Sequence, residues 1–313
     1  MIRTVRCVKQ DWRNNMILLS PTNRKETATV ENVNFCSVAF PTGTKFPTQE
    51  YLPAITKENI NGSTSIEGMF MGNPNIKEIT FAEGSLDGVK YMTNLARECH
   101  SLERIKFPTS MESVNNTSGL LGCYTPNVTN KVTHVEVPDL PNANVVYSMF
   151  YGCENLESVV MGDIGANMNN IVANFIFNRC VNLKTAKLGD LSKVTLSENI
   201  KFLFSSCTSL TDLSIKALPA VDMTNGEFSG CPNLTAQSYV NILAALPVAS
   251  SKTILFANNF KDVIDTNKNT TYTASNGSGS NTFLEWMKTT IANGWTIKTL
   301  DGTIYNSTWA NAQ

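Results

Sequence analysis

The sequence predicts an α/β repeat solenoid: coils of about 26 residues, each adding one short strand to a stack. A small mainly-β region precedes the array, and an α+β cap follows it. Three observations predict this architecture. Six of the eight cysteines, Cys99, Cys123, Cys153, Cys180, Cys207 and Cys231, are separated by 24, 30, 27, 27 and 24 residues. Four of them carry one frame: Phe150, Cys153, Leu156; Phe177, Cys180, Leu183; Phe204, Cys207, Leu210; Phe228, Cys231, Leu234. Each copy then runs on into an alternating tail: "IKEITF", "LERIKF", "VTHVEV", "LESVVM", "LKTAKL", "LTDLSI".

Residues 1–65 do not fit the repeat cleanly. "RTVRCV", "TATVENVNFCSVAF" and "TKFPTQEYLP" hold β-branched and aromatic runs broken by Pro and Gly, which read as short strands and turns. An open solenoid end exposes its core, so a cap is required there. A segment that attaches the chain to a partner is the second reading, and the two are compatible. Cys7 and Cys36 fall here and belong to no motif.

Residues 66–235 form the array, with about seven copies, five of them good. The first keeps Phe70 and Ile76 but has Asn73 where later copies have cysteine. Cys99 and Leu102 keep the frame without the phenylalanine. The copy at Cys123 is stretched by "YTPNVTNK". In every tail positions four and six are apolar, as a short strand needs when alternate side chains point inward. One such strand cannot bury its apolar side alone; stacking does it. The predicted core ladder is therefore Phe70, Ile76, Cys99, Leu102, Cys123, Phe150, Cys153, Leu156, Phe177, Cys180, Leu183, Phe204, Cys207, Leu210, Phe228, Cys231 and Leu234. A cysteine recurring at one frame position acts as a small hydrophobe. Rung spacing alone does not forbid disulfides, but stacked side chains point the same way and no oxidising compartment is indicated. Zinc is disfavoured: Cys-x-x-Cys is missing, and His100 and His134 lie on different coils.

The phrase MFxGCxNLxxVxM, as in "MFYGCENLESVVM", resembles the BspA type of leucine-rich repeat, found in bacterial surface proteins and in some phage or prophage proteins. The resemblance covers residues 66 to 235. It implies a right-handed, curved leucine-rich-repeat array whose parallel sheet lines one side, with short helices or turns on the other.

Residues 236–313 change period. "TAQSYVNILAALP" spaces its apolar residues for a helix that Pro247 stops, and "SKTILFANN" reads as a strand. "TNKNTTYTASNGSGSN" is polar and Gly/Ser-rich and reads as a mobile loop or linker. "NTFLEWMKTTIANGWTIKTL" reads as a helix, a stop at Gly294, and a strand from Trp295 to Leu300. This ending resembles the closing element of other bacterial and phage repeat proteins.

The 313 residues are 42% hydrophobic and 16% charged, with a net charge of -1. That balance gives no electrostatic reason to expect nucleic acid or an anionic membrane as a partner, and no segment approaches the roughly 20 apolar residues that membrane insertion needs. The first residues lack the basic-then-apolar pattern of a secretory signal, so the chain is expected to be made in a host cytoplasm and to stay soluble. Catalytic patterns are missing: no Gly-rich phosphate loop follows a strand, and no Gly-x-Ser-x-Gly elbow is present. Asn-x-Ser/Thr sequences at Asn127, Asn233 and Asn269 read as compositional. No enzyme activity, metal or cofactor is expected.

Surface remains. The polar strand positions should line the concave face: Lys77, Glu78, Thr80; Glu103, Arg104, Lys106; Thr133, His134, Glu136; Glu157, Ser158; Lys184, Thr185, Lys187; Thr211, Asp212, Ser214. This is either a solvated face of mixed charge or a recognition surface for a protein or glycan. The stretch "YTPNVTNK" is a second candidate, because solenoid insertions emerge as loops. The expected role is a structural or adhesive component of a virus particle: a phage fibre, receptor-binding tip or capsid decoration. Its partners would be other virion proteins or a host receptor. Analogy of class adds homo-oligomers, often trimers. The alternative is a bacterial cell-surface adhesin of the BspA type.

Overall fold

The computed structural model describes residues 52–125 and 129–313, with the backbone of a short antiparallel pair, β1 (Asn34–Phe35) and β2 (Val38–Ala39). Cys7, Cys36, Asn127 and most of the expected N-terminal cap lie outside the described residues. A short helix α1 (Lys57–Ile60) leads into the array, capped reciprocally by the Thr56 and Asn59 side chains. The strands β3 (Glu78–Thr80), β4 (Arg104–Lys106), β5 (His134–Val137), β6 (Ser158–Met161), β7 (Thr185–Asp190) and β8 (Asp212–Ala217) follow, one per coil. The end is built from β9 (Met223–Phe228), α2 (Ala236–Ala245), β10 (Lys252–Phe256), α3 (Asn259–Asn267), β11 (Thr271–Thr273), β12 (Ser280–Thr282), α4 (Phe283–Ala292), β13 (Trp295–Thr299), β14 (Ile304–Tyr305) and α5 (Ser307–Asn311).

Strands of successive coils pair in parallel with repeat-equivalent residues opposite one another: Val135, Val159, Ala186 and Leu213 form one inward row. The sheet comes in two pieces, β3–β4 and β5–β6–β7–β8. Between them a hydrogen bond runs from Lys131 N–H to Leu102 C=O at 2.7 Å. The insertion after Cys123 enters there and shifts the start of the next strand.

Opposite the sheet stands a column of turns rather than helices. Ile66, Gly68, Phe70 and Gly72 donate their N–H groups across to Tyr91, Thr93, Leu95 and Arg97 of the next coil, at 2.8–2.9 Å. The alternate N–H groups close turns within the coil, Met69 to Ile66, Met71 to Gly68, Asn73 to Phe70. The pattern returns at Met92–Cys99 and Ala173–Cys180. Buried backbone groups must be paired, and this scheme pairs them without helix or ladder. In most coils it also forces left-handed backbone at two places. One is held by Gly72, Glu98, Gly152, Arg179 and Ser206. At Gly152 a β-carbon would lie 2.1 Å from the Cys123 carbonyl oxygen, so glycine is required.

Between sheet and turns lies one continuous apolar interior. Phe150, Phe177 and Phe204 stack along it with ring centroids 5.5 and 5.1 Å apart and planes within 10°. Ile76, Leu102, Val132, Leu156, Leu183, Leu210 and Leu234 form a second buried column. The thiols make a third. Cys99, Cys180, Cys207 and Cys231 each donate to the phenylalanine carbonyl of the preceding coil, Phe70, Phe150, Phe177 and Phe204, at 2.8–3.6 Å. Such weak S–H···O contacts recur because the frame recurs. All six described cysteines are buried and free.

Cys123 is buried but off this frame. Its N–H donates to Tyr151 C=O, as Glu98 does to Gly122 and Gly152 to Asn178, so it stands one residue early. The ladder site on that coil is filled by Asn130, fully buried, whose Nδ2 donates to Cys153 Sγ at 3.3 Å and to Leu121 C=O at 3.2 Å. The insertion explains the slip: the chain leaves the coil early and re-enters at Asn130.

Two boundaries differ from the sequence reading. The stack begins before residue 66, because Ile55 is buried and exchanges backbone hydrogen bonds with Thr80 and Ala82. The segment read as a mobile linker is instead the end of α3 and the antiparallel hairpin β11–β12. Its Thr and Ser residues pair across strands, and Gln237 Nε2 and the Asn241 side chain hold Thr273 and Ser275. The cap sheet runs β14–β13–β10–β9, parallel except for the edge strand β14. Helix α2 covers the free edge of β8: Ser238 Oγ accepts from Leu213 N–H at 2.9 Å, and Asn241 Nδ2 donates to Leu213 C=O at 2.9 Å. Two buried polar side chains thus satisfy a strand edge that would otherwise invite another chain.

Candidate recognition face

Strand alternation decides which side chains reach solvent. Residues pointing inward on β3 to β8 are buried, and the residues between them lie on the outer side of the sheet. Glu103, Arg104, Lys106, Thr133, His134, Glu136, Glu157, Lys184, Thr185, Lys187 and Asp212 are exposed there. Lys77, Glu78, Thr80, Ser158, Thr211 and Ser214 are half-buried.

Parallel register lines these residues up across coils. Arg104 donates to Glu78 at 2.7 Å and, by charge and hydrogen bond, holds that carboxyl below its usual range. Lys184 Nζ reaches Glu157 at 3.0 Å. The row Ser158–Thr185–Asp212 crosses β6, β7 and β8, and beside it runs Val160–Lys187–Ser214. The break between β4 and β5 leaves Glu78 to Lys106 on one piece of sheet and His134 to Ser214 on the other. Exposed pairs of this kind contribute about 0–1 kcal/mol each, so they set the charge pattern more than the stability.

One contact has the residue types of a catalytic triad. His134 Nδ1 lies 2.7 Å from Ser158 Oγ, and Nε2 lies 3.2 Å from Glu136 Oε1. All three sit on an open sheet. The neighbouring backbone N–H groups of Glu157 and Ser158 are committed to Thr133 C=O, so they cannot steady an oxyanion, which such catalysis needs. The contact orders a surface row. His100 sits at a turn near Glu98, 3.8 Å away, and away from this face. Burial pushes the Cys99 thiol up to about 12 and raises Cys180, Cys207 and Cys231 as well, which leaves these thiols poor nucleophiles. Among the described residues no three His, Cys, Asp or Glu side chains gather to hold a metal ion.

The C-terminal end of this face is indented. Two adjoining recesses, of about 470 and 320 Å³, open over β6, β7 and β8. Asp163, bonded to Lys216, and the hairpin residues Ser275 and Asn276 line the larger one. Sequence reasoning missed Asp163, Val160, Lys216 and the hairpin. Val160 was legible, as an apolar residue in the polar phase of "LESVVM". Asn276 was not, because its contact with Lys216 C=O spans 60 residues.

A family profile of the BspA type leucine rich repeat region matches this chain in six copies, over residues 44–135 and 120–260. The chain belongs to the BspA-type leucine-rich-repeat family. Comparison with the curated proteins and with the solved structures gives no match. The family match reaches back to residue 44, consistent with a stack whose first coil contains Ile55. Among the described residues no helix is long and apolar enough to cross a membrane.

Proposed function

We propose that this chain is a non-enzymatic scaffold that holds a macromolecular partner on the solvent face of its repeat sheet, as an adhesive or structural component of a virus particle. The observation that carries the reading is the face itself. Register fixes rows of charged and hydroxylated side chains at rung spacing on a packed core, so little ordering entropy is lost on binding. The partner is another particle protein or a protein or glycan receptor on the host, and the part a fibre, a receptor-binding tip or a shell decoration. The free, buried thiols support this setting, since a fold that uses no disulfide in the described array suits assembly in a reducing cytoplasm.

Family membership favours a second reading, a bacterial cell-surface adhesin using the same face. Mass spectrometry of purified particles and of purified cell envelopes from the producing culture separates the two. The first reading expects the chain in particles at stoichiometric copy number. Recovery in envelopes alone would overturn the particle setting in favour of the adhesin.

A further inference from the structure

Two lysines line the recesses, Lys187 and Lys216, and a third, Lys184, stands just before β7; Lys184 is paired with Glu157 and Lys216 with Asp163. Lys187 has no ion pair among the described residues, and the register shows why. It lies opposite Val160 on β6 and Ser214 on β8, so the two places from which a carboxylate would meet it hold a valine and a serine. Nearby acids are engaged elsewhere: Glu136 with His134, Asp212 with the Thr211 hydroxyl, Asp163 with Lys216. The two recesses share Val160, Lys187 and Ser214. The hydroxyls of Thr185 and Ser214 have no hydrogen-bond partner among the described residues. Asn276 at the wall is fixed by its Nδ2 bonds to Ala244 C=O, 2.9 Å, and Lys216 C=O, 3.4 Å.

Resting on the recognition-face reading, we propose that this double recess binds an acidic polysaccharide, with the carboxylate of one sugar on Lys187 Nζ and its hydroxyls on Thr185 and Ser214. Charge complementarity names the carboxylate: a lysine ammonium is a point charge that accepts an anion from many directions. The remaining lining names the sugar. Peptide sites anchor apolar side chains in deep pockets, whereas this recess is shallow: Val137, Met161, Leu188 and Ile215 line it but are themselves buried, and Val160, 38% exposed, is its one exposed large apolar side chain, among hydroxyl, amide and charged groups. A polyhydroxylated ligand finds donors and acceptors there, and a C–H face can lie on the valine. Because the recess is open and shallow, single sugars bind weakly and affinity accumulates along a polymer.

The test titrates the full chain at low salt with tetragalacturonate, with its neutral methyl ester, and with tetraglutamate, following binding by calorimetry. Tetragalacturonate is expected to bind, the methyl ester about tenfold more weakly or not at all, and Lys187→Gln to lose about tenfold in affinity. Lys184→Gln, whose lysine is already paired, is expected to leave affinity little changed. Each variant must melt as the wild type does, and an exposed site makes that the expected result. Binding that survives Lys187→Gln, or tetraglutamate binding as tightly as the sugar, overturns the proposal. So does a folded chain that ignores tetragalacturonate. That last result leaves the recognition-face reading to its own test, in which charges on the whole face are exchanged.

Discussion

Leu183 is fully buried in the column that runs from Ile76 to Leu234, touched by coils on both sides. Truncation there leaves a cavity that rigid neighbours cannot fill. Leu183→Ala is expected to lower unfolding free energy by about 2–5 kcal/mol in denaturant titration. An unchanged midpoint would remove Leu183 from the core. Glu227 is the opposite case, a carboxylate in the turn-column frame that Met69, Leu95, Met149, Ile176 and Leu203 fill on other coils. It is 1% exposed, Oε2 accepts from Asn225 N–H at 2.6 Å, and Oε1 has no partner. Burial pushes its carboxyl from the usual 4.5 up to about 7, against a smaller downward pull from its backbone hydrogen bonds and Lys201. Its folded-state proton is therefore held more tightly than in the unfolded chain. The stability it confers is complete below pH 4.5 and is lost as pH rises through 7. Glu227→Gln is expected to match wild type at pH 4 and to melt higher at pH 8. Equal melting at both pH values would contradict the buried, proton-holding carboxyl. The thiols give a third test: Cys99, Cys180, Cys207 and Cys231 should resist alkylation at pH 8 until the array unfolds, as mapped by mass spectrometry.

Strands were legible because a period of two survives even in pieces of three to six residues once seven copies are aligned. Helices α2 and α4 were legible from apolar spacing and a Pro or Gly stop. What escaped the sequence was set by distant partners. The hairpin β11–β12 has Thr, Tyr, Ser and Asn without apolar alternation, and its place depends on Asn241, 34 residues before Ser275. The frame slip at Cys123 escaped for a similar reason: a cysteine at near-repeat spacing looks like a rung, and the fully buried Asn130 looks like a loop residue. The face residues were readable one by one from strand phase. Which lysine would remain unpaired was not, because that depends on the residues opposite it in neighbouring coils. Helix α2 carries its own prediction. Removing the Ser238 hydroxyl, which accepts from Leu213 N–H and donates to Thr211 C=O at 2.7 Å, leaves the buried Leu213 N–H unpaired, while Thr211 C=O keeps its bonds from Thr235. Ser238→Ala is expected to cost about 1–3 kcal/mol and to speed hydrogen exchange at the Leu213 amide. Unaltered exchange there would mean that α2 does not cap the sheet edge.

At the scale of the molecule, the coils act as one body because core and turn ladder cross every coil boundary they share. Arrays of this kind gain stability from nearest-neighbour interfaces, which permits surface rows to be rewritten without unfolding the stack. The central claim is that the solvent face of the sheet does the recognising. Reversing the charges across the face in one variant, Glu136→Lys, Glu157→Lys, Lys184→Glu and Lys187→Glu, keeps the net charge and the buried rows while reversing the charge order on that face. Retention of the full chain on host-cell surfaces, measured for wild type and the exchanged variant at equal thermal midpoints, tests the claim most directly. The account predicts that the variant folds as wild type and is no longer retained. Undiminished retention would assign recognition to another part of the molecule.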